Sequence, residues 1–523
     1  MYDLIKKKPD YILVPHVRAT PIKNGALPST TCPLIQGEPY VLRRTFKNEL
    51  NGIKLLSPVL NMPTSYEEGE KAFLKLGSDL GAGKSQTKQA FAKALDAQEE
   101  FINEMRRLGI QAIMYAKTAN LPTVVLFGRS YNAFLDLANM GIPNKFASRG
   151  IMIIPFDMLD YDSDPPYEAM HWAAGMGILK GARVVKNTSN LYGCYITNFS
   201  CGPDSFVLNY FRDIMGDKPS LTLELDSHTA DAGIDTRIEA FLDIAKGYSA
   251  RNTKPLWSTN GFMPAEMVKN GKKWLFKAST GELLNLTDAR VKVLIPSMGE
   301  FTSKSIAAIF RYFGINAVSL PPPGDFDLQR GKDHSTCKEC LPLMLTLGSL
   351  YNHLDKRPKD ELTVYFMPTT GGSCRFAQYS VLTKLLINKQ HIPNLAVMSI
   401  TSANSYGGLG MKFTQRALWS MTISDVMEEI RAGVLTLSKD RDSALIAYTH
   451  AEEMLIDAIA SMEWNDILET LKKAANLLAT IPLKSSIKSA PKVALIGEIY
   501  VRRDAFSQRY LCLLYTSPSP RDS

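Results

Sequence analysis

The residue type in this chain with the strongest claim to chemistry is cysteine. There are 7 in 523 residues: Cys32, Cys194, Cys201, Cys337, Cys340, Cys374 and Cys512. Spread this thinly, they do not make the disulfide framework of a small secreted domain. They are core residues, reactive thiols or metal ligands, and their surroundings decide which. Cys32, Cys201 and Cys374 each follow an apolar run and a small-residue loop, and each stands before an expected helix start. A thiol so placed lies at the carboxyl end of a parallel strand, where α/β folds put ligands and reactive groups. The helix N-terminus beyond it favours the thiolate that binds metal. One such cysteine alone would be read as a core residue. Three at equivalent places, with Cys337-x-x-Cys340 in addition, favour a metal site. The Cys337/Cys340 pair also suits a redox disulfide or half a zinc site, although zinc wants a second close pair of ligands and the sequence has none. Iron–sulfur clusters readily take cysteines from distant segments.

A second dense polar group runs from Glu224 to Asp231. Alternation along Leu221 to Asp226 turns the leucines to one face and leaves Glu224 and Asp226 on the other, with His228 just past the strand end. Glu224, Asp226, His228 and Asp231 are therefore candidates for acid/base or metal chemistry. Equally, Asp231 suits the N-cap of the following helix, with Arg237 paired to a nearby carboxylate. A third feature is a decoy. Gly77 to Ser85 resembles a phosphate-binding loop, but the glycine spacing is wrong and a helix-like stretch precedes it instead of a strand.

The elements that must position these groups alternate between short apolar strands and amphipathic helices, which implies βαβ units and parallel sheets. The expected fold is α/β, with repeated Rossmann-like parallel-sheet units, helical connecting segments and a helical arm. Residues 1–55 form a partial unit whose start is missing, and 56–118 a helical connector. A second unit spans 119–250, a β-hairpin insertion 251–287 and a third unit 288–410. A helical packing arm covers 411–488. The apolar run at 493–499 reads as a buried strand followed by a helix start near Asp504, so 489–511 reads as the beginning of a truncated further unit. The final segment, 512–523, matches the translation of a transposase adapter used in sequencing libraries, which removes Cys512 from any ligand count.

Composition excludes several classes. Hydrophobic residues make up 45% and charged residues 21%, ordinary for a globular protein, and the net charge of +8 is mild for this length. Basic clusters such as Lys6-Lys7-Lys8 are short and scattered, which argues against nucleic acid. No apolar run approaches the ~20 residues of a membrane span, and no signal peptide opens the chain, so the cytoplasm is expected.

Several segments together resemble the activator-related proteins of 2-hydroxyacyl-CoA dehydratases. They are Cys201-Gly202-Pro203-Asp204-Ser205-Phe206, Lys338-Glu339-Cys340-Leu341-Pro342 and Cys374-Arg375-Phe376-Ala377-Gln378-Tyr379. Ala230-Asp231-Ala232-Gly233, the run from Thr236 to Phe241 and Asn404-Ser405-Tyr406-Gly407 belong with them, and the similarity extends to Leu511. The resemblance implies an oxygen-sensitive protein with an iron–sulfur cluster, of the 4Fe-4S type, held by Cys32, Cys201, Cys340 and Cys374. Cys337 is a further candidate ligand, and Cys194 a spare thiol. It implies an electron-transfer component of ATP-driven dehydratase activation. The ATPase activator module would be a partner in cis or in trans, and a redox partner would take the electron. No segment suggests the ATPase itself. Two alternatives stay open: a dehydratase-type subunit that binds an acyl-CoA at its own cluster, and a scaffold region without metal. The family's further cysteine–proline segment, expected upstream of Met1, is missing, which fits a fragment.

Overall fold

The computed structural model describes residues 1–25, 28–199, 201–250, 261–271, 273–369, 371–400, 408–491 and 493–509. The expected adapter tail with Cys512, the 404–407 motif and residues 251–260 of the expected insertion lie outside the described residues. The chain forms two compact units, Met1–Ser258 with Gly371–Gln378, and Thr259–Thr370 with Tyr379–Ser523.

The first unit opens with α1 (Tyr2–Lys6), β1 (Tyr11–Leu13), β2 (His16–Ala19), α2 (Pro33–Thr45), β3 (Lys54–Leu56) and β4 (Val59–Asn61). β1 pairs with β3 and β2 with β4, both in parallel, so α2 is the crossover of a βαβ unit. Pro15 and Pro58 interrupt the two strands. Each lacks the N–H that a continuous ladder needs, and the ribbon is split there into two short pairs. β4 thus adds a strand at the head of the stretch expected to be helical. Next come α3 (Glu70–Asp79) and the 35-residue α4 (Lys84–Thr118). The glycine-rich decoy is the turn between these helices. No strand leads into it, so its backbone amides do not form a phosphate cradle.

The main sheet of this unit is built from β5 (Thr123–Phe127), α5 (Ser130–Ala133), α6 (Ile142–Ala147), β6 (Met152–Pro155), α7 (Ala173–Asn187), β7 (Leu191–Asn198), α8 (Asp204–Met215), β8 (Ser220–Leu225) and α9 (Asp231–Ala250). All neighbours are parallel, in the order β6-β5-β7-β8. β5 is buried along its whole length, which is why it reads as an unbroken apolar run rather than an alternating one. The chain leaves β5 towards one edge and returns across it to β7. The crevice beyond the carboxyl ends of β5 and β7 is therefore the topological switch point, the usual ligand position in such sheets.

The second unit begins with an antiparallel meander of β9 (Glu266–Asn270), β10 (Lys273–Lys277) and β11 (Leu283–Leu284). It continues with β12 (Val291–Ile295), α10 (Glu300–Tyr312), β13 (Ala317–Ser319), α11 (Asp325–Asp333), α12 (Leu341–Leu354), β14 (Leu362–Phe366), α13 (Tyr379–Gln390) and β15 (Leu395–Met398). Its parallel sheet has the order β13-β12-β14-β15, the same winding as the first. Cys374 thus follows the third strand of one sheet in chain order as Cys201 follows the third strand of the other. The Rossmann-like α/β reading holds. The helical arm is α14 (Gly410–Leu437), α15 (Arg441–Ser461) and α16 (Trp464–Ala479). Phe413, Met427, Tyr448 and Ile459 of the arm share one core with Phe310 of α10, so its apolar stripes are packing surfaces.

One expected strand does not form. Residues 493–499 are turn and irregular backbone, with Val493 88% and Ile496 86% exposed. An apolar run becomes a strand only when a neighbour satisfies its backbone groups, and no strand pairs with it among the described residues. Residues 504–509 likewise form turns in place of the expected helix start.

Candidate functional site

The site begins at the end of β5. Gly128 has φ +149°, and a Cβ there would stand 2.4 Å from Ile196 O of β7. Only glycine lets the chain turn away so close to the neighbouring strand. The next residue, Arg129, donates through Nε (3.2 Å) and Nη2 (3.0 Å) to Oδ1 of Asp204. Asp204 lies in the first turn of α8 and is 2% exposed. It also accepts from Tyr195 OH at 3.0 Å and Thr197 Oγ1 at 2.6 Å, both on β7. A buried carboxylate with this many donors fixes the Cys201–Asp204 loop against the sheet. Burial works against the charge of Arg129, but Asp204, Tyr195 and Cys201 outweigh it and raise the guanidinium pKa. Burial, with Asp204 adding to it, pushes the Cys201 thiol up to about 11.

A cavity of about 310 Å³ opens beside this network, lined among others by Cys32, Cys201, Arg129, Tyr131, Asp157 and Trp172. Cys32 is the N-cap of α2, with proline in the first turn, the position where a missing N–H costs nothing. The preceding residues are tied down. Thr31 Oγ1 donates to Val17 O at 2.6 Å, and Thr30 N donates to His171 O at 2.7 Å. Asp157 Oδ1 is buried without a hydrogen-bond partner among the described residues, and burial pushes its carboxyl up.

Cys374 is exposed and belongs to the stretch Gly371–Gln378 of the same unit. Trp172 Nε1 donates to Ser373 O at 3.3 Å, and Gln378 Nε2 donates to Ala169 O at 2.6 Å. Arg375 Cδ stands 3.6 Å from where a Cβ of Gly202 would be. The third cysteine segment is therefore folded onto the loop that carries the second.

The remaining candidates lie elsewhere. Cys340, in the second unit, is the N-cap of α12 and is hydrogen-bonded to Tyr379 OH at 2.7 Å. Cys337 is exposed with φ +60°, its Sγ 3.8 Å from Lys332 O. Cys194 is wholly buried on β7, where burial raises its thiol pKa. Glu224 lies on β8, on the face away from buried Leu221, Leu223 and Leu225. Asp226 Oδ1 accepts from His228 N and Thr229 Oγ1, both at 2.9 Å, in an exposed turn. Asp231 stands in the first turn of α9, 3.5 Å from Lys145 Nζ, and Arg237 Nη2 donates to Thr222 O at 2.7 Å. These contacts close a turn and start a helix.

Among the described residues, no three His, Cys, Asp or Glu side chains are grouped so as to hold a metal ion. The cavity offers two of the four cysteines that a cubane cluster takes, with an arginine and the apolar walls of Phe134, Phe156 and Trp172 beside them. Two thiols do not make up the ligand set of such a cluster, and no other described residue of the lining completes it.

Arg129, Asp157, Tyr195 and Thr197 were not singled out by sequence reasoning. The available signal was a Gly-Arg-Ser turn after the fully buried strand β5, matched by an acidic residue three positions after Cys201. Among the described residues no helix is long and apolar enough to cross a membrane. No curated protein and no solved structure matches the chain. Residues 1–159 match the family model described as "CoA enzyme activase uncharacterised domain". That matched stretch supplies Cys32, Arg129 and the strand β5 of the first sheet.

Proposed function

We propose that this protein is an iron–sulfur electron-transfer component that works with an ATP-driven activator on dehydratase-type reductive chemistry. The observation that carries the reading is the pair Cys32 and Cys201 lining one cavity at a topological switch point, in a chain whose first 159 residues are activase-related. When bound, the cluster supplies one-electron transfer at low potential. Cys32 and Cys201 would hold it, each at or close before a helix N-terminus. Arg129 offsets the negative charge, and Phe134, Phe156 and Trp172 keep water from the walls. Cys374, on the neighbouring loop, is a further proposed ligand, and Cys340 is proposed on the family resemblance alone.

Anaerobic reconstitution with iron and sulfide tests the reading. The intact protein is expected to take up both and to show a cluster signal by electron paramagnetic resonance. Cys32→Ser and Cys201→Ser should each lose most of the iron, Cys374→Ser and Cys340→Ser should lower it, and Cys194→Ser should leave it unchanged. Equal iron in Cys32→Ser, Cys201→Ser and Cys194→Ser would refute the assignment.

A further inference from the structure

We infer that the segment Gly371–Gln378 is a lid on the Cys201 side of the cavity, hinged at Gly371–Gly372 and latched at Gln378, and that it controls access to the Cys201 thiol. None of its residues belongs to the cavity lining. Its first half nevertheless rests on two segments that supply the lining. A Cβ on Gly371 would stand 3.6 Å from His171 Cε1, and the next residue, Trp172, lines the cavity and donates from Nε1 to Ser373 O at 3.3 Å. Arg375 Cδ and Nε both come 3.6 Å from where a Cβ of Gly202 would be. Gly202 stands between Cys201 and Pro203, which are both lining residues, so the arginine lies directly on the backbone of the Cys201 loop. The segment is thus an outer layer on that part of the wall.

Its two ends are held unequally. Gln378 is 1% exposed, its Nε2 donates to Ala169 O at 2.6 Å, and its own carbonyl accepts from Tyr210 OH at 3.3 Å. That end is a latch. At the other end Gly371 and Gly372 are exposed, and Gly372 has φ +124°. Paired glycines absorb large backbone rotations at little steric cost. A segment with one buried anchor, few apolar contacts and an exposed glycine pair belongs to the part of a structure that opens at low free energy. When it lifts, Arg375 leaves the Cys201 loop and the half-buried thiol is uncovered.

The experiment is timed alkylation of the metal-free protein with N-ethylmaleimide, with each cysteine followed by peptide mass spectrometry. In the intact protein exposed Cys374 should react ahead of Cys201, and Cys194, sealed in the core, should not react. Gln378→Met removes the donor to Ala169 O and should speed alkylation of Cys201 about fivefold, the weight of one lost hydrogen bond in the balance between open and closed forms. Arg375→Ala removes the cover itself and should also speed it. Loss of a cation alone would raise the thiol pKa and slow the reaction, so a faster rate in this variant reports uncovering and not charge. Faster labelling of Cys201 in both variants, with Cys194 still unlabelled, supports the lid. An unchanged or slower rate in either folded variant overturns it. If Cys194 becomes labelled in either, that variant has lost its fold and Tyr210→Phe decides, because it removes only the bond to Gln378 O. About a twofold rise at Cys201 is then expected, and no rise overturns the lid. The reagent needs no metal, so this outcome and that of iron uptake stand or fall separately.

Discussion

Breaking the Arg129–Asp204 pair should cost far more than its share of the surface suggests. The Arg129 side chain is 13% exposed and that of Asp204 2%. Asp204→Ala strands a guanidinium in a poorly solvated place, and removing one member of a buried pair costs about 3–5 kcal/mol. Arg129→Met leaves Asp204 with its two hydroxyl donors, so about 3 kcal/mol is expected, at the lower end of the same range. Replacing both partners, as Arg129→Met with Asp204→Ala, removes the uncompensated charge as well as the attraction. That double variant should lose no more than about 3 kcal/mol, close to a single one. The coupling energy is then about 3 kcal/mol, which direct neighbours in one network can reach. Urea denaturation of the four proteins, followed by circular dichroism and by tryptophan fluorescence, measures the cycle. Single losses that simply add, to within about 0.5 kcal/mol, would refute the claim that the pair is a coupled buried unit.

Other consequences are simpler to check. Glu361, 5% exposed, pays for burial but accepts from His353, Lys292 and Thr363 at 2.6–2.8 Å, and the balance lowers its pKa from 4.5 to about 2. Because the folded value lies below the unfolded one, its stabilisation, about 3 kcal/mol from the shift, is complete above about pH 4.5 and disappears as pH falls through about 2. Glu361→Gln should therefore flatten the acid limb of a stability–pH curve measured in urea. Gly128→Ala forces a non-glycine residue to φ +149° and a contact of 2.4 Å with backbone. The conformation alone costs about 1–3 kcal/mol, so a lowered melting temperature is expected, and an unchanged one would contradict the tight turn after β5. Asp440 caps α15, accepting from Asp442 N at 3.1 Å and Ser443 N at 3.5 Å. Asp440→Ala should cost about 1 kcal/mol, readable in thermal unfolding of the helical arm.

The α/β class and the strands that carry cysteines were legible from local pattern. β5, β7, β12 and β14 are buried on both faces, and burial of that kind writes itself as an apolar run that no tertiary detail can disguise. The same holds for Cys32, Cys201 and Cys374 before their helices, since proline, glycine and small residues mark a helix start wherever it is packed. The strand expected at 493–499 failed for the complementary reason. Its apolar residues are a necessary condition for a strand, but the partner that completes the hydrogen-bond ladder is not encoded in the run itself. Likewise the pairing of β1 with β3 and of β2 with β4 is written in neither segment by itself, although Pro15 and Pro58 mark where the ribbon divides. The candidate site was half legible. Thiols could be placed at strand ends one by one, yet which of them face one another depends on strand order, and β6-β5-β7-β8 is set by crossovers packed over long range. That order brings Arg129, 75 residues distant in sequence, onto Asp204, while Cys194, seven residues before Cys201, is sealed in the core; Cys32 reaches the same cavity from outside that sheet, next to the tie of Thr30 N to His171 O. Residue type determined what chemistry each group could perform. Only the tertiary structure decided which groups share a low-dielectric space, because burial and distance, the two quantities that govern charge and ligation there, belong to no single segment of the chain.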